Sequence, residues 1–185
     1  MKQSVMLFLT LLIFILIAAC TTTYPETEDN NGFEAAPTEN PDQIVGIYDV
    51  IYALQNPDEW VVVDVRTVEE FNGKSQLPNA YGSGRISGAI NVDRESVTDA
   101  DGNVLSREEL MALFDFIGNR KVIVYCHGGI RSAFVKQVLT DIGFYAFNYV
   151  GSWIDWSRAA SVANGGPNAV VLSLTEAWTD NEGEI

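Results

Sequence analysis

Apolar residues recur along the chain in two rhythms, and the alternation between them predicts the architecture. Ile44, Ile47, Tyr48, Ile51 and Leu54 fall at helical spacing and stop at Asn56-Pro57, which predicts a helix. Trp60 to Val65 is a short β-branched run of the kind found in buried strands. Thr67 to Phe71 follows as a capped helical turn, and a Gly/Pro/Asn-rich loop runs from Asn72 to Gly84. Ala89 to Val92 is a second short strand, and Asp99 to Gly102 is a turn. Ser106 with Glu109 forms a capping box, opening a helix through Leu110, Leu113, Phe114 and Ile117 that Gly118 stops. Lys121 to Tyr125 is a third buried strand, Ser132 to Ile142 a helix closed by Gly143, and Tyr145 to Val150 a fourth strand. Gly151-Ser152-Trp153 opens a last helix. Strands alternating with helices at this spacing predict an α/β fold, an open, mainly parallel sheet with helices on both faces. Ligands bind such sheets where strand C-termini meet helix N-termini.

At the chain's start the pattern is different. Lys2 precedes fifteen residues, Val5 to Ala19, of which all but Thr10 are apolar. A bilayer span needs about twenty residues, so the run has the length of a signal h-region. It ends Leu16-Ile17-Ala18-Ala19-Cys20, and small residues before a cysteine resemble the lipobox of bacterial lipoproteins. That resemblance implies cleavage after residue 19, lipid on Cys20, membrane attachment through it, and a cell-envelope location facing periplasm or exterior. Residues 20–41 carry Pro25, Pro37, Pro41 and many acids without apolar periodicity, and read as a flexible acidic tether. The folded domain is expected over 42–163. Residues 164–185 read as a loosely ordered tail, in which Val170, Val171, Leu172 and Leu174 have the character to add a short strand.

Composition narrows the chemistry. Twenty-five Asp and Glu oppose eleven Lys and Arg, a net charge of −14 that repels phosphate backbones and argues against a nucleic-acid partner. One histidine and two cysteines exclude a disulfide framework and a multi-histidine metal site. With lipid on Cys20, Cys126 is the single thiol of the mature chain, so it is either inert packing or a reactive group.

Three features favour reactivity. Cys126 ends a buried strand, Gly128 and Gly129 follow it, and Arg131 opens a helix. The glycines permit a tight loop whose amides curl toward the sulfur, and the helix N-terminus and Arg131 add positive charge. Each favours the thiolate, the nucleophilic form. His127 is read as a solvent-facing spacer within reach of an anionic substrate. Adjacent residues in a tight loop rarely turn side chains toward each other, so a Cys–His dyad is not expected.

Four ordered blocks resemble the rhodanese domain, the sulfurtransferase family. They are Val63-Asp64-Val65-Arg66 with Glu69-Glu70-Phe71, then Gly84 to Asn91, then Cys126 to Arg131, and last Gly151 to Trp156. The resemblance spans about Val45 to Ala160. It implies a cysteine that takes a sulfane sulfur from a donor such as thiosulfate, becomes a persulfide, and passes the sulfur to a thiol or to cyanide. Cys126 is then the carrier. Arg131 binds the anionic donor or stabilises the loop. The amides of His127 through Ser132 cradle the sulfur, and His127, Gly128, Gly129, Ile130 and Ser132 form the substrate-binding set. Asp64 and Arg66 are read as a buried, structural salt bridge near the loop's base. Arg85 stands where the family usually has histidine, and is kept as a substrate-binding candidate; Ser87 stands where it usually has proline. No cofactor and no metal are implied, and no protein partner is named.

Loop lengths leave thiosulfate and mercaptopyruvate both open as donors. Two other functions are compatible with the fold: phosphatase or arsenate reductase chemistry, and a non-catalytic binding or regulatory module. Phosphatase-like members of the family carry one more residue between cysteine and arginine than the four present here, and inactive modules commonly lack the cysteine.

Overall fold

Continuous apolar runs are buried on both faces, and the two most apolar runs sit at the centre of the sheet. The computed structural model describes residues 43–75, 77–162 and 173–177. The expected signal segment, Cys20, the tether, and Val170 to Leu172 lie outside the described residues. Strands β1 (Ile44–Val45), β2 (Trp60–Asp64), β4 (Ile90–Asn91), β5 (Lys121–Tyr125) and β6 (Ala146–Tyr149) form one sheet in the order β1-β6-β5-β2-β4, with β3 (Gly84–Ile86) outside it. Every pairing in it is parallel, and the central register runs from Trp60 opposite Lys121 to Asp64 opposite Tyr125.

Side chains alternate across the sheet, as strand geometry requires. Val61, Val63, Val122 and Val124 face one core with α3 (Arg107–Leu113) and α4 (Ile130–Asp141), which contribute Leu110, Val135 and Leu139. Trp60, Val62, Ile123 and Tyr125 face the other with α1 (Ile47–Gln55) and α5 (Ser152–Ser161), which contribute Ile51, Trp153 and Trp156. The short α2 (Val68–Phe71) is closed by the reciprocal bonds of a Thr67–Glu70 capping box. The expected fold class is thus present: an open parallel sheet between two helical layers.

Two elements differ from the sequence pattern. Ile44 falls at the helical spacing of α1, yet with Val45 it forms β1 beside Asn148 and Tyr149. Gly46 caps the start of the helix, with its N–H bonded to the Asp49 carboxylate at 2.8 Å. Pairing with β6 overrides a periodicity that two residues cannot define. The second difference is an antiparallel pair, β3 with β7 (Thr175–Ala177), joining Gly84 to Ala177 and Ile86 to Thr175. Residues 173–177, assigned above to the loose tail, therefore belong to the fold. Leu174 packs on the core, and the Trp156 indole N–H donates to Thr175 Oγ1 at 2.8 Å. The strand lies a few residues beyond the apolar cluster that suggested it.

Candidate active site

Cys126 follows the last residue of β5, at the C-terminal edge of the sheet, and is 1% exposed. Gly129 adopts φ 93°, and a Cβ there would stand 2.5 Å from the Val150 carbonyl oxygen, so only glycine fits. That conformation points the Gly129 N–H at Sγ, 3.1 Å away, and the Ser132 hydroxyl donates to the same sulfur at 3.5 Å. Helix α4 begins at Ile130, two residues earlier than its apolar pattern suggests, with Gly129 as its cap. Gly128 does not share its neighbour's role. Its backbone is not left-handed, and an added Cβ would meet Ile154 at an ordinary 3.5 Å. Of the two glycines expected to permit the tight loop, only Gly129 sits where a side chain is forbidden.

Burial of the sulfur works against its charged form. The Ser132 hydroxyl, with the amides of Ser132, Gly129 and Gly128, outweighs that penalty and holds the Cys126 thiol below its ordinary range.

The far side of the loop is held by the start of α5. Ser152 Oγ accepts from the Cys126 N–H at 3.1 Å and donates its single proton to the Tyr149 carbonyl at 2.8 Å. That proton is thus committed, and Ser152 Oγ, 3.9 Å from Sγ, is not a donor to it. Trp153 N–H donates to the Cys126 carbonyl at 3.0 Å, and Ile154 N–H to the His127 carbonyl at 3.1 Å. Ser152 sits at φ 50°, a conformation a non-glycine residue keeps when its surroundings enforce it. Asp155 presses against Gly151, where a Cβ would lie 2.6 Å from its own Cβ, which accounts for the glycine before Ser152.

Arg131 is engaged from the opposite side. Its Nη1 and Nη2 donate to the two carboxylate oxygens of Glu70 at 2.6 and 2.7 Å, a bidentate pair. Glu70 also accepts from Thr67 N–H at 2.9 Å. Burial opposes its charge, but the Arg131 guanidinium and the Thr67 amide hold the Glu70 carboxyl down to about 2. The Arg131 pKa is raised, first by its bond to Glu70. Its charge therefore reaches the sulfur already matched by a carboxylate, and the amides and Ser132 carry the larger share of thiolate stabilisation. Sequence reasoning assigned Glu70 no site role, although the Thr67-to-Glu70 capping-box spacing placed that side chain at the helix start.

The remaining candidates separate. Asp64 and Arg66 form the expected buried pair, both 0% exposed, with Arg66 Nη2 2.6 Å from Asp64 Oδ2 and 2.9 Å from the Gly84 carbonyl. The guanidinium stacks between the Tyr125 and Trp153 rings at 5.5 and 4.9 Å. Tyr125, the residue before Cys126, is thereby fixed from its ring face, and its hydroxyl accepts from Ile86 N–H. Arg85 lies over the Phe71 ring at 4.6 Å, next to Glu70 in sequence. Ile130 is 86% exposed on the rim of the loop. His127 is not a free spacer: its ring is half-buried and Nε2 lies 2.8 Å from the Pro78 carbonyl.

Comparison with known proteins agrees with this geometry. Residues 47–159 match the model of the rhodanese-like domain. SseA of Mycobacterium bovis is 37% identical over 114 residues, covering 57% of this chain and 38% of that protein. Thiosulfate sulfurtransferase of Corynebacterium glutamicum is 34% identical over 121 residues, 60% of this chain and 40% of the relative. Sulfur carrier protein TtuD of Thermus thermophilus is 33% identical over 112 residues, 55% and 39% respectively. This chain therefore spans well under half the length of each. The crystal structure of a probable thiosulfate sulfurtransferase superposes with TM-score 0.53 at 32% identity, covering 64% of this chain and 46% of that one. An EanB complex with ergothioneine shares the fold at TM-score 0.60 and 23% identity, covering 65% and 31%. With the sheet order, the Cys126 loop and the match over more than half its length, the chain belongs to the rhodanese-like family.

Proposed function

We propose that the domain moves sulfane sulfur through Cys126. The observation that carries the reading is the sulfur's setting: an N–H at 3.1 Å and a hydroxyl at 3.5 Å converge on a thiol whose pKa they lower. The thiolate attacks the outer sulfur of thiosulfate, the donor's S–S bond breaks, and sulfite leaves with the electron pair. Cys126 then carries one extra sulfur. A thiolate or cyanide attacks that terminal sulfur, the Cys126 S–S bond breaks, and the electron pair returns to Cys126 as thiolate. The same amides receive negative charge at both ends of the cycle, so little reorganisation is needed. Thiosulfate is the donor we favour because a relative carries that activity in its name.

Incubation with thiosulfate followed by intact-mass measurement tests the assignment. One added sulfur on the wild type, none on Cys126→Ser, and thiocyanate release on adding cyanide are expected. Aryl phosphate hydrolysis that Cys126→Ser abolishes, without sulfur loading, would replace this reading with the phosphatase one.

The lipobox-like Leu16 to Cys20 supports a further proposal: the domain is tethered to a membrane of the cell envelope by lipid on Cys20. Mature protein beginning at Cys20 with acyl mass, recovered with membranes, is expected. Recovery with Met1 intact in the soluble fraction would refute it.

A further inference from the structure

One bond beside the nucleophile serves neither the thiolate cradle nor the Arg131 pair. His127 Nε2 lies 2.8 Å from the carbonyl oxygen of Pro78. A carbonyl only accepts, so Nε2 carries a proton and donates, and it does so in the neutral and the protonated ring alike. The other ring nitrogen, Nδ1, is buried without a hydrogen-bond partner. The ring therefore leaves one polar atom unsatisfied while the other reaches Pro78.

The segment it reaches is fastened at its other end to α5. Tyr81 N–H donates to Ser157 Oγ at 3.2 Å, and the Trp153 indole N–H to the Gly82 carbonyl at 3.0 Å. Trp153 in turn holds the Cys126 carbonyl. Leu77–Ser83 is thus joined to the Cys126 loop twice, through α5 and directly through the side chain next to the nucleophile. Between the two attachments Asn79 turns the chain at φ 63°, a left-handed conformation that asparagine adopts more easily than most residues. A cavity of about 190 Å³, bounded by Leu77, Ala80, Gly82 and Ser83, opens on this segment. Cys126 itself is 1% exposed, so what reaches its sulfur passes the groups packed around its loop.

From these contacts we infer that His127 is a positioning residue: through Pro78 it holds Leu77–Ser83 as a wall of the approach to Cys126, restricting the thiol to small reaction partners. Under the sulfur-transfer reading on which its biological meaning rests, the wall favours small donors and acceptors over bulky thiols.

The test uses the full chain and one electrophile in two sizes, iodoacetamide and its fluorescein conjugate, with labelling at Cys126 located by peptide mass. Hydrogen exchange across Leu77–Ser83 is measured in parallel. His127→Ala is expected to raise the bulky-to-small rate ratio at least threefold and to speed exchange in the segment. His127→Gln keeps an N–H donor and restores both; His127→Phe keeps a ring without the donor and restores neither. A ratio unchanged in His127→Ala, or restored equally by Phe, overturns the inference. If wild-type Cys126 takes no sulfur from thiosulfate while the alkylation ratios behave as expected, the transfer reading fails and the positioning role stands.

Discussion

At the scale of single residues, the site divides its labour unevenly between neighbours that look alike in sequence. Gly128 and Gly129 are adjacent, yet one has room for a methyl group and the other does not. Gly128→Ala should change stability by no more than about 0.5 kcal/mol. Gly129→Ala combines a left-handed residue, costing about 1–2 kcal/mol, with a clash against backbone that cannot swing away. Its denaturation midpoint should fall accordingly, and its sulfur loading should fall with it. Ser132 is the second such case. A sequence reading counts its amide, whereas the structure also puts its hydroxyl on the sulfur. Ser132→Ala should shift the pH midpoint of Cys126 alkylation upward, and an unchanged midpoint would remove the hydroxyl from the cradle. Arg131→Ala should shift it less, because Glu70 already matches that charge.

Elements show what one-dimensional pattern carries. The runs of β2 and β5 are buried along almost their whole length, so their composition alone placed Cys126 at a strand end. The capping boxes at Thr67 and Ser106 marked α2 and α3 through side chains three residues apart. The partner of Arg131 was hidden because Glu70 lies sixty-one residues away, and no local spacing encodes that approach. The His127–Pro78 bond was hidden for the same reason. Strands β1 and β3, of two and three residues, are too short for any rhythm and exist only through their partners. The Glu70–Arg131 link between α2 and α4 also sets a pH dependence. Glu70 is held near 2 in the folded protein, below its ordinary 4.5. A carboxyl lowered on folding contributes stability that is fully present above the ordinary value and is lost as pH falls toward the folded one. Between pH 5 and pH 2 the melting temperature should drop, and the drop should be shallower in Glu70→Gln. At pH 7 that variant should lose about 1–3 kcal/mol, the range for hydrogen bonds to charged groups and their buried remnants. Equal slopes in both proteins would mean the pair is energetically idle.

For the molecule as a whole, the working unit ends later than composition suggests. Removing residues 1–41 should leave the fold and sulfur transfer intact, since the packing described above is made by residues from Val45 onward. A chain stopped at Asn164 should not behave like one stopped at Ala177. It lacks the strand opposite Gly84–Ile86, the oxygen bonded to Trp156, and Leu174. Gly84 also accepts from Arg66, so the loss sits one hydrogen bond from the pair beneath the site. The shorter form should melt several degrees lower by calorimetry. Matching transitions would show that β7 contributes nothing to the domain.

The Gly129 amide has a use beyond its part in the cradle. Its proton points at a sulfur atom 3.1 Å away, and sulfur is the atom whose charge and substitution change at every step of a turnover. In a spectrum of ¹⁵N-labelled protein, that one resonance should move when the thiolate is protonated, again when a second sulfur is attached, and back when it departs. Glycine nitrogens resonate upfield of other amides, so the signal falls in an uncrowded region. The loop therefore carries its own isotopic reporter, able to follow the occupancy of the site from one hydrogen bond away from the sulfur.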